Sequence, residues 1–325
     1  MGIRGLNTFI KKVCPECITT NNINKYNGKI FGIDASILLY KYRHISNIDE
    51  TCVNSHIIGF LNRIKYYINN KITPVFVFDG IPPEQKKITL KKRQSIKRKI
   101  YEKIEILQDL CPESDNEKKE IQKEIYNLSK QVINVTKSHV NEIKELLDVL
   151  GINYYDAPDE AEKYCVFLQK NNIIDFIVTD DTDVFTFGGV NILKSTIKND
   201  LIETDIEKFL EKIGYTRVKF IDFCILSGCD YLSYVPNLAI NTVYTLFKKL
   251  NTIEDIINLN KYTFPDEYNN EIEKIRLIFS VFEYEKPKPL KFKIINKEEI
   301  KSYLEKKNIK NSLKLAEKFL NLKYN

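Results

Sequence analysis

Seven carboxylates are the residues of this 325-residue chain whose types and spacing could do chemistry together. The stretch "DFIVTDDTDVF" (175–185) opens as an apolar strand and ends in Asp180, Asp181 and Asp183. Crowded acids of this kind raise one another's pKa unless a cation stands among them. Three more apolar runs end in acid: "KIFGID" on Asp34, "TPVFVFD" on Asp79 and "FIDFCILSGCD" on Asp230. "DAPDEAEK" adds Glu160 and Glu162 where a helix starts just past a proline turn. Helix residues two apart do not share a face, yet a first turn can aim both at one ion, one directly and one through water. Singly, each aspartate reads as well as a turn residue or helix cap. Jointly, the set selects Asp34, Asp79, Glu160, Glu162, Asp181, Asp183 and Asp230 as ligands.

Hard oxygen donors without clustered His or Cys favour Mg²⁺, with Mn²⁺ as its substitute, over zinc. The set is larger than one octahedral Mg²⁺ takes from a protein. Two ions about 4 Å apart fit it better, the arrangement used for in-line phosphodiester hydrolysis. Lys86 and Arg93 follow Asp79 by seven and fourteen residues, so both can face a scissile phosphate, with Lys97 one turn beyond. Tyr40, six residues past Asp34, reads either as a base-stacking aromatic or as a core residue at helical spacing.

The elements that must position these groups follow from hydrophobic pattern. Runs 29–34, 73–79 and 173–181 are continuous, β-branched and aromatic, the signature of strands buried on both faces. Helical patterns at 53–69 and 138–150, the latter closed by Gly151, lie between them. The fold class expected is therefore α/β, a mainly parallel central sheet flanked by helices, and ligands of such sheets gather at the strands' carboxyl edge. Segment 84–131 is too charged for a core and reads as an inserted helical protrusion bent at "CPESDN". From Thr216 the chain becomes helical, with a proline-broken passage at 285–293 and a basic helical tail. The division expected is 1–83 and 136–235 as the two parts of one core, 84–135 as an insertion, and 236–325 as a helical lobe and tail.

Composition sets the bounds. Hydrophobic content of 43% and charged content of 29% are globular values. No apolar run reaches the ~20 residues of a membrane helix, Lys11 and Lys12 break any signal segment, and Leu6 spoils a myristoylation start. The expectation is a soluble intracellular protein without a membrane partner, in the nucleus or at a cytoplasmic viral replication site. Seven scattered cysteines read as reduced thiols. Cys14-Pro-Glu-Cys17 with Cys52 and His56 could hold zinc, but a lone CxxC pair favours a helix cap and a small buried residue instead. The net charge of +6 matters through its distribution: nine basic residues stand between positions 86 and 103 against Glu102 alone, which points to a polyanion, with a solvated helix face or an import signal as the plain alternatives.

These residues resemble the flap endonuclease branch of the structure-specific 5′-nuclease superfamily. The matching stretches are "MGIRGLNTFI", "IDAS", "PVFVFDGIPPEQK", "DAPDEAE", "TDDTDVFTFG" and "LSGCDY", in order over roughly residues 1–260. The resemblance implies a PIN-like nuclease fold with a helical arch at 84–131 and a helix-turn-helix hairpin in the C-terminal lobe. It implies Asp34, Asp79, Glu160 and Glu162 on the catalytic ion, and Asp181, Asp183 and Asp230 on the second. Lys86 and Arg93 would stabilise the scissile phosphodiester, Tyr40 would stack, and Gly2 would be the new N-terminus near the site. The implied activity is Mg²⁺-dependent cleavage of branched 5′-flap DNA near the single-strand/duplex junction, with 5′-exonuclease activity, in replication, repair or recombination. A monomer is expected.

Two departures stand out. "PNLAINT" (236–242) replaces the family's Gly-Ile-Gly turn, so the resemblance does not carry a monovalent cation or duplex grip there, although amides around Asn237 and Asn241 could still bind phosphate. "LAEKFLNLKYN" lacks the family's sliding-clamp motif, so clamp binding is not supported. Both suit a divergent or viral member. RNA cleavage by the same site is the alternative, and an inactive nucleic-acid-binding protein a more distant one, since no ligand is missing. A DxD phosphatase leaves Asp34, Asp79 and Asp230 unexplained.

Overall fold

The computed structural model describes residues 2–48, 54–112, 114–195, 200–266, 268–291 and 295–320. Among these, seven strands form one sheet in the order β1-β7-β6-β5-β2-β3-β4. They are β1 (Ile18–Asn21), β2 (Ile30–Asp34), β3 (Thr73–Phe78), β4 (Tyr154–Asp156), β5 (Phe176–Val178), β6 (Ile192–Ser195) and β7 (Leu201–Thr204). The stretch from β6 through β5, β2 and β3 to β4 is parallel, and Ile33 pairs with both Phe76 and Val178. β7 and β1 extend it antiparallel, so the sheet is mixed.

Alternation in β3 shows how both faces are filled. Val75 and Val77 enter one apolar core with the helices Leu6–Val13, Ala161–Lys170 and Arg217–Gly228. Phe76 and Phe78 enter the other, with the helices Ala35–Ile48, Ser55–Asn69 and Lys137–Val149. A strand buried on both sides needs the continuous apolar run that marked it in the sequence. The run ending on Asp230 is a helix, Arg217–Gly228, and Asp230 lies just past its end.

The charged insertion is two helices, Lys87–Gln108 and Asp115–Ser129, linked by a Lys103–Glu124 ion pair of 2.6 Å. Ile104 is the one buried residue of the first, and the second has none. A Ser114–Glu117 capping box starts the second, satisfying end amides in the absence of packing.

Helices Lys297–Lys306 and Ser312–Leu320 return to the sheet, and Ile300, Leu304 and Phe319 are buried among Ile57, Phe60 and Leu147. Cys111, Cys165, Cys224 and Cys229 are free thiols as expected, whereas one pair departs from that reading. Cys14 and Cys17 form a disulfide across the turn Pro15–Cys17, with Cα atoms 5.5 Å apart, because the Cys17 amide folds back onto the Cys14 carbonyl. The disulfide takes Cys14 and Cys17, and His56 is bonded to Glu142 at 2.8 Å, so these three are engaged otherwise than on zinc; Cys52 lies outside the described residues. No described helix is long and apolar enough to cross a membrane.

If the tail is core, Leu304→Ala should cost about 2–5 kcal/mol in chemical denaturation. Unchanged stability would show that the tail only rests on the surface.

Candidate active site

The seven acids arrive at the carboxyl edge of the parallel strands from separate parts of the chain. Asp34 is the last residue of β2, Asp79 follows β3, Asp181 and Asp183 follow β5, and Glu160 and Glu162 flank the start of helix Ala161–Lys170 beyond β4. Asp230 comes from the helical side. Six of the set, all but Asp79, are buried.

Several acids do serve as caps, as their plain reading proposed. Asp34 accepts from the Ile37 amide at 3.0 Å, Asp79 from the Ala161 amide at 2.9 Å, and Asp181 from the Asp183 amide at 3.0 Å. Capping is how the local backbone fixes each carboxylate's direction. It does not exhaust their oxygens, and Asp183 Oδ1 is buried with no hydrogen-bond partner at all.

Mutual repulsion is evident in the titration of the group. Burial, then Asp79, push the Asp34 carboxyl well above the ordinary range. Burial, then Asp34 and Asp181, do the same to Glu162. Burial and Asp181 raise Asp183, and burial raises Asp181. Glu160 is pushed up to about 7 by burial, against the pull of Lys86. These couplings bind the whole set into one electrostatic cluster.

Two cations answer it. Lys86, in the turn Glu84–Lys86 at the root of the insertion, pairs with Glu160 and lies 4.0 Å from Asp230 Oδ2. Burial works against its ammonium, but Glu160 and Glu162 outweigh burial and hold it charged. Arg93, two turns into the helix, straddles Asp230 at 2.8 and 2.7 Å. Among the described residues no three acidic, His or Cys side chains close around a single point. Lys86 and Arg93 hold two of the acids that such a closure would use. The all-oxygen donor set and the orphaned Asp183 oxygen fit hard divalent cations.

The remaining expected residues divide. Tyr40 is 42% exposed and close enough to Asp79 to feel its charge. Gly2 lies against the aspartate loop: a Cβ on it would come within 2.7 Å of both Asp183 N and Thr182 Oγ1, at a backbone angle (φ +80°) that itself favours glycine. The Arg4 amide, bonded to the Gly228 carbonyl at 2.9 Å, pins that segment. Lys97 is not brought to the acids and instead donates to the Ile133 carbonyl. Asn237 and Asn241 are exposed. Asn237 takes the left-handed backbone (φ +64°), so the turn in "PNLAINT" is made without glycine; asparagine tolerates that region better than most residues.

Sequence reasoning missed two supports. Thr179 donates to Asp34 at 3.2 Å and accepts from the Asp181 amide at 3.1 Å, tying two strands' acids together. Tyr231 donates to Glu160 and sits under Lys86. Both lie inside stretches already singled out, so proximity to the acids was the available signal.

The parallel sheet and its acid edge define a nuclease core of the XPG type. The XPG N-terminal domain matches residues 1–100 and the XPG I-region residues 151–230. "Flap endonuclease 1" of Enterocytozoon bieneusi is 33% identical over 86% of this chain and 77% of its own length. That of Entamoeba histolytica is 31% identical over 94% and 82%. In structure, the catalytic core of Rad2 in complex with DNA substrate superposes with a TM-score of 0.78 at 23% identity, covering 99% of this chain and all of that one. Flap endonuclease-1 from Methanococcus jannaschii gives 0.67 at 23% identity, over 94% and 96%. The chain belongs to the flap endonuclease branch of the structure-specific 5′-nuclease superfamily, and it is a nuclease.

The raised carboxyls carry a sign. Folded, they hold protons that the unfolded chain releases near pH 4, so stability is fullest at low pH and falls as pH rises towards the Glu160 value of about 7. In EDTA, the melting temperature should decrease across that window, and Asp183→Asn should raise it by about 2 °C at neutral pH. A pH-independent melting temperature, unchanged in the variant, would mean that the acids are not packed this closely.

Proposed function

We propose that the chain is a Mg²⁺-dependent structure-specific nuclease that hydrolyses phosphodiester bonds of branched, 5′-flap DNA near the single-strand/duplex junction, with 5′-exonuclease activity, in replication, repair or recombination. The observation that carries it is the gathering of seven acids at one sheet edge, with Lys86 and Arg93 reaching in from the base of a basic two-helix insertion. Relatives named flap endonuclease 1 support the reading.

Asp34, Asp79, Glu160 and Glu162 would hold one ion, and Asp181, Asp183 and Asp230 the other. When bound, the pair would lower the pKa of the attacking water and neutralise charge developing on the phosphate. Lys86 and Arg93 have a separate task. In the substrate-free chain they are engaged with Glu160 and Asp230. An arriving phosphate competes as their acceptor, so the same movement that positions the phosphate frees those carboxylates. Tyr40, exposed beside Asp79, offers a ring on which a base near the cut can stack. Helices Lys87–Gln108 and Asp115–Ser129 would act as an arch over a single-stranded 5′ end, and the lobe from 236 onward would contact duplex phosphates through the amides at Asn237 and Asn241.

RNA cleavage by the same site is the second reading, and the relatives named flap endonuclease 1 support DNA as the substrate.

The test is cleavage of a 5′-labelled double-flap DNA beside a matched RNA. Junction cutting should need Mg²⁺, stop in EDTA and fall by about 100-fold or more in Asp181→Asn and in Lys86→Ala. Cutting of RNA alone would move the substrate class. DNA cutting that persists in EDTA would overturn the metal reading.

A further inference from the structure

Asp156 and Asp159 are the acids of "DAPDEAE" that the metal reading leaves without a task; Asp156 pairs with Lys144 at 2.5 Å, and Asp159 turns towards the ligand loops. Asp159 is more tightly held than several of the proposed ligands. Its Oδ1 accepts from the Glu160 amide at 2.8 Å and from the Tyr284 hydroxyl at 2.5 Å. Its Oδ2 pairs at 3.2 Å with Lys163, a lysine that is only 8% exposed. Its backbone carbonyl accepts from the Gly80 amide at 2.6 Å, one residue past Asp79. One residue therefore grips the loops bearing Asp79 and Glu160, and a Cβ on Gly80 would fall 2.6 Å from the Pro158 carbonyl oxygen, so the two loops are in close contact.

Tyr284 comes from far along the chain. It belongs to the extended segment between helix Tyr268–Ser280 and the tail helices. That segment runs past edge strand β4, where Tyr155 donates to the Lys288 carbonyl and Asn153 exchanges two hydrogen bonds with Lys291 at 2.9 and 2.8 Å. The Tyr284 ring is wedged against Tyr164 and Phe167, at 5.3 and 5.0 Å between centroids, both on the helix that Glu160 caps. Ring packing fixes the hydroxyl, and the hydroxyl together with Lys163 fixes Asp159.

We propose that Tyr284 is a positioning residue for the metal site: acting through Asp159, it holds the Glu160 and Asp79 loops in the spacing that binds a divalent cation. The inference rests on the metal reading proposed above. A half-buried carboxylate with three donors has a set orientation, and partners one step removed from metal ligands commonly govern affinity. Tyr284→Phe deletes one donor and leaves the ring packing intact. The rest of the segment remains attached through β4, so the effect should appear in metal affinity without loss of the fold.

The experiment is a Mg²⁺ titration of the DNA-free protein followed by thermal shift, for wild type, Tyr284→Phe and Tyr155→Phe, repeated with flap cleavage as the readout. Tyr284→Phe should raise the half-saturating Mg²⁺ concentration by about 10-fold in both assays, while the cleavage rate at saturating Mg²⁺ returns to near wild type. Tyr155→Phe, which loosens the same segment without touching Asp159, should leave the midpoint in place. An unchanged midpoint in Tyr284→Phe, or an equal shift in both variants, overturns the inference alone. A wild type with no response to Mg²⁺ removes the metal reading and this inference with it.

Discussion

Repulsion among buried carboxylates is the constraint on which the rest of this structure depends. Asp34, Glu160, Glu162, Asp181 and Asp183 all have their pKa values driven up by burial and then by neighbouring carboxylates, Asp230 in the case of Asp181. A cluster of this kind has to be held by something stronger than its own tendency to separate. The parallel sheet does the holding: its strand ends are fixed by ladders and by apolar cores on both faces. Backbone amides at 2.9 to 3.0 Å then aim the individual acids, and each such hydrogen bond to a charge is worth more than one between neutral groups.

The same constraint explains features that look unrelated. Glycine at position 2 is needed because the N-terminal segment presses against the loop of Asp181 and Asp183. The charged insertion is rooted where Lys86 can reach Glu160 and Arg93 can reach Asp230, which makes it part of the site's charge balance as well as a basic surface. The chain after residue 280 returns along β4 and buries its last helices under the sheet's second face.

Much of the site was legible because acids at the ends of apolar runs mark strand termini, and parallel strands share an edge. Lys86 and Arg93 were legible as basic residues spaced by seven after Asp79; only the step from Lys86 to Arg93 runs along a helix, since residues 79–83 are not helical. Lys97, one turn beyond, points elsewhere, because the Ile133 carbonyl captures it. Strands β1 and β7 were not readable: "ITTN" and "LIET" are four residues long, with three and two polar residues, and β1 is placed only by pairing with β7. The tail showed amphipathic helices, but no periodicity states which surface they cover. Tyr284 and Asp159 stand 125 residues apart, and nothing local in either announces the other. The Cys14–Cys17 closure depends on a turn geometry that composition could not supply.

Two cations in the carboxylate cluster are the central claim, and the most direct measurement counts and locates them. Crystals grown with Mn²⁺ and measured at its absorption edge should show two anomalous peaks per chain. One should lie among Asp34, Asp79, Glu160 and Glu162, the other among Asp181, Asp183 and Asp230, with the second lost in Asp183→Asn. A single peak, or peaks away from these side chains while Lys86 and Arg93 keep their ion pairs, would contradict the account.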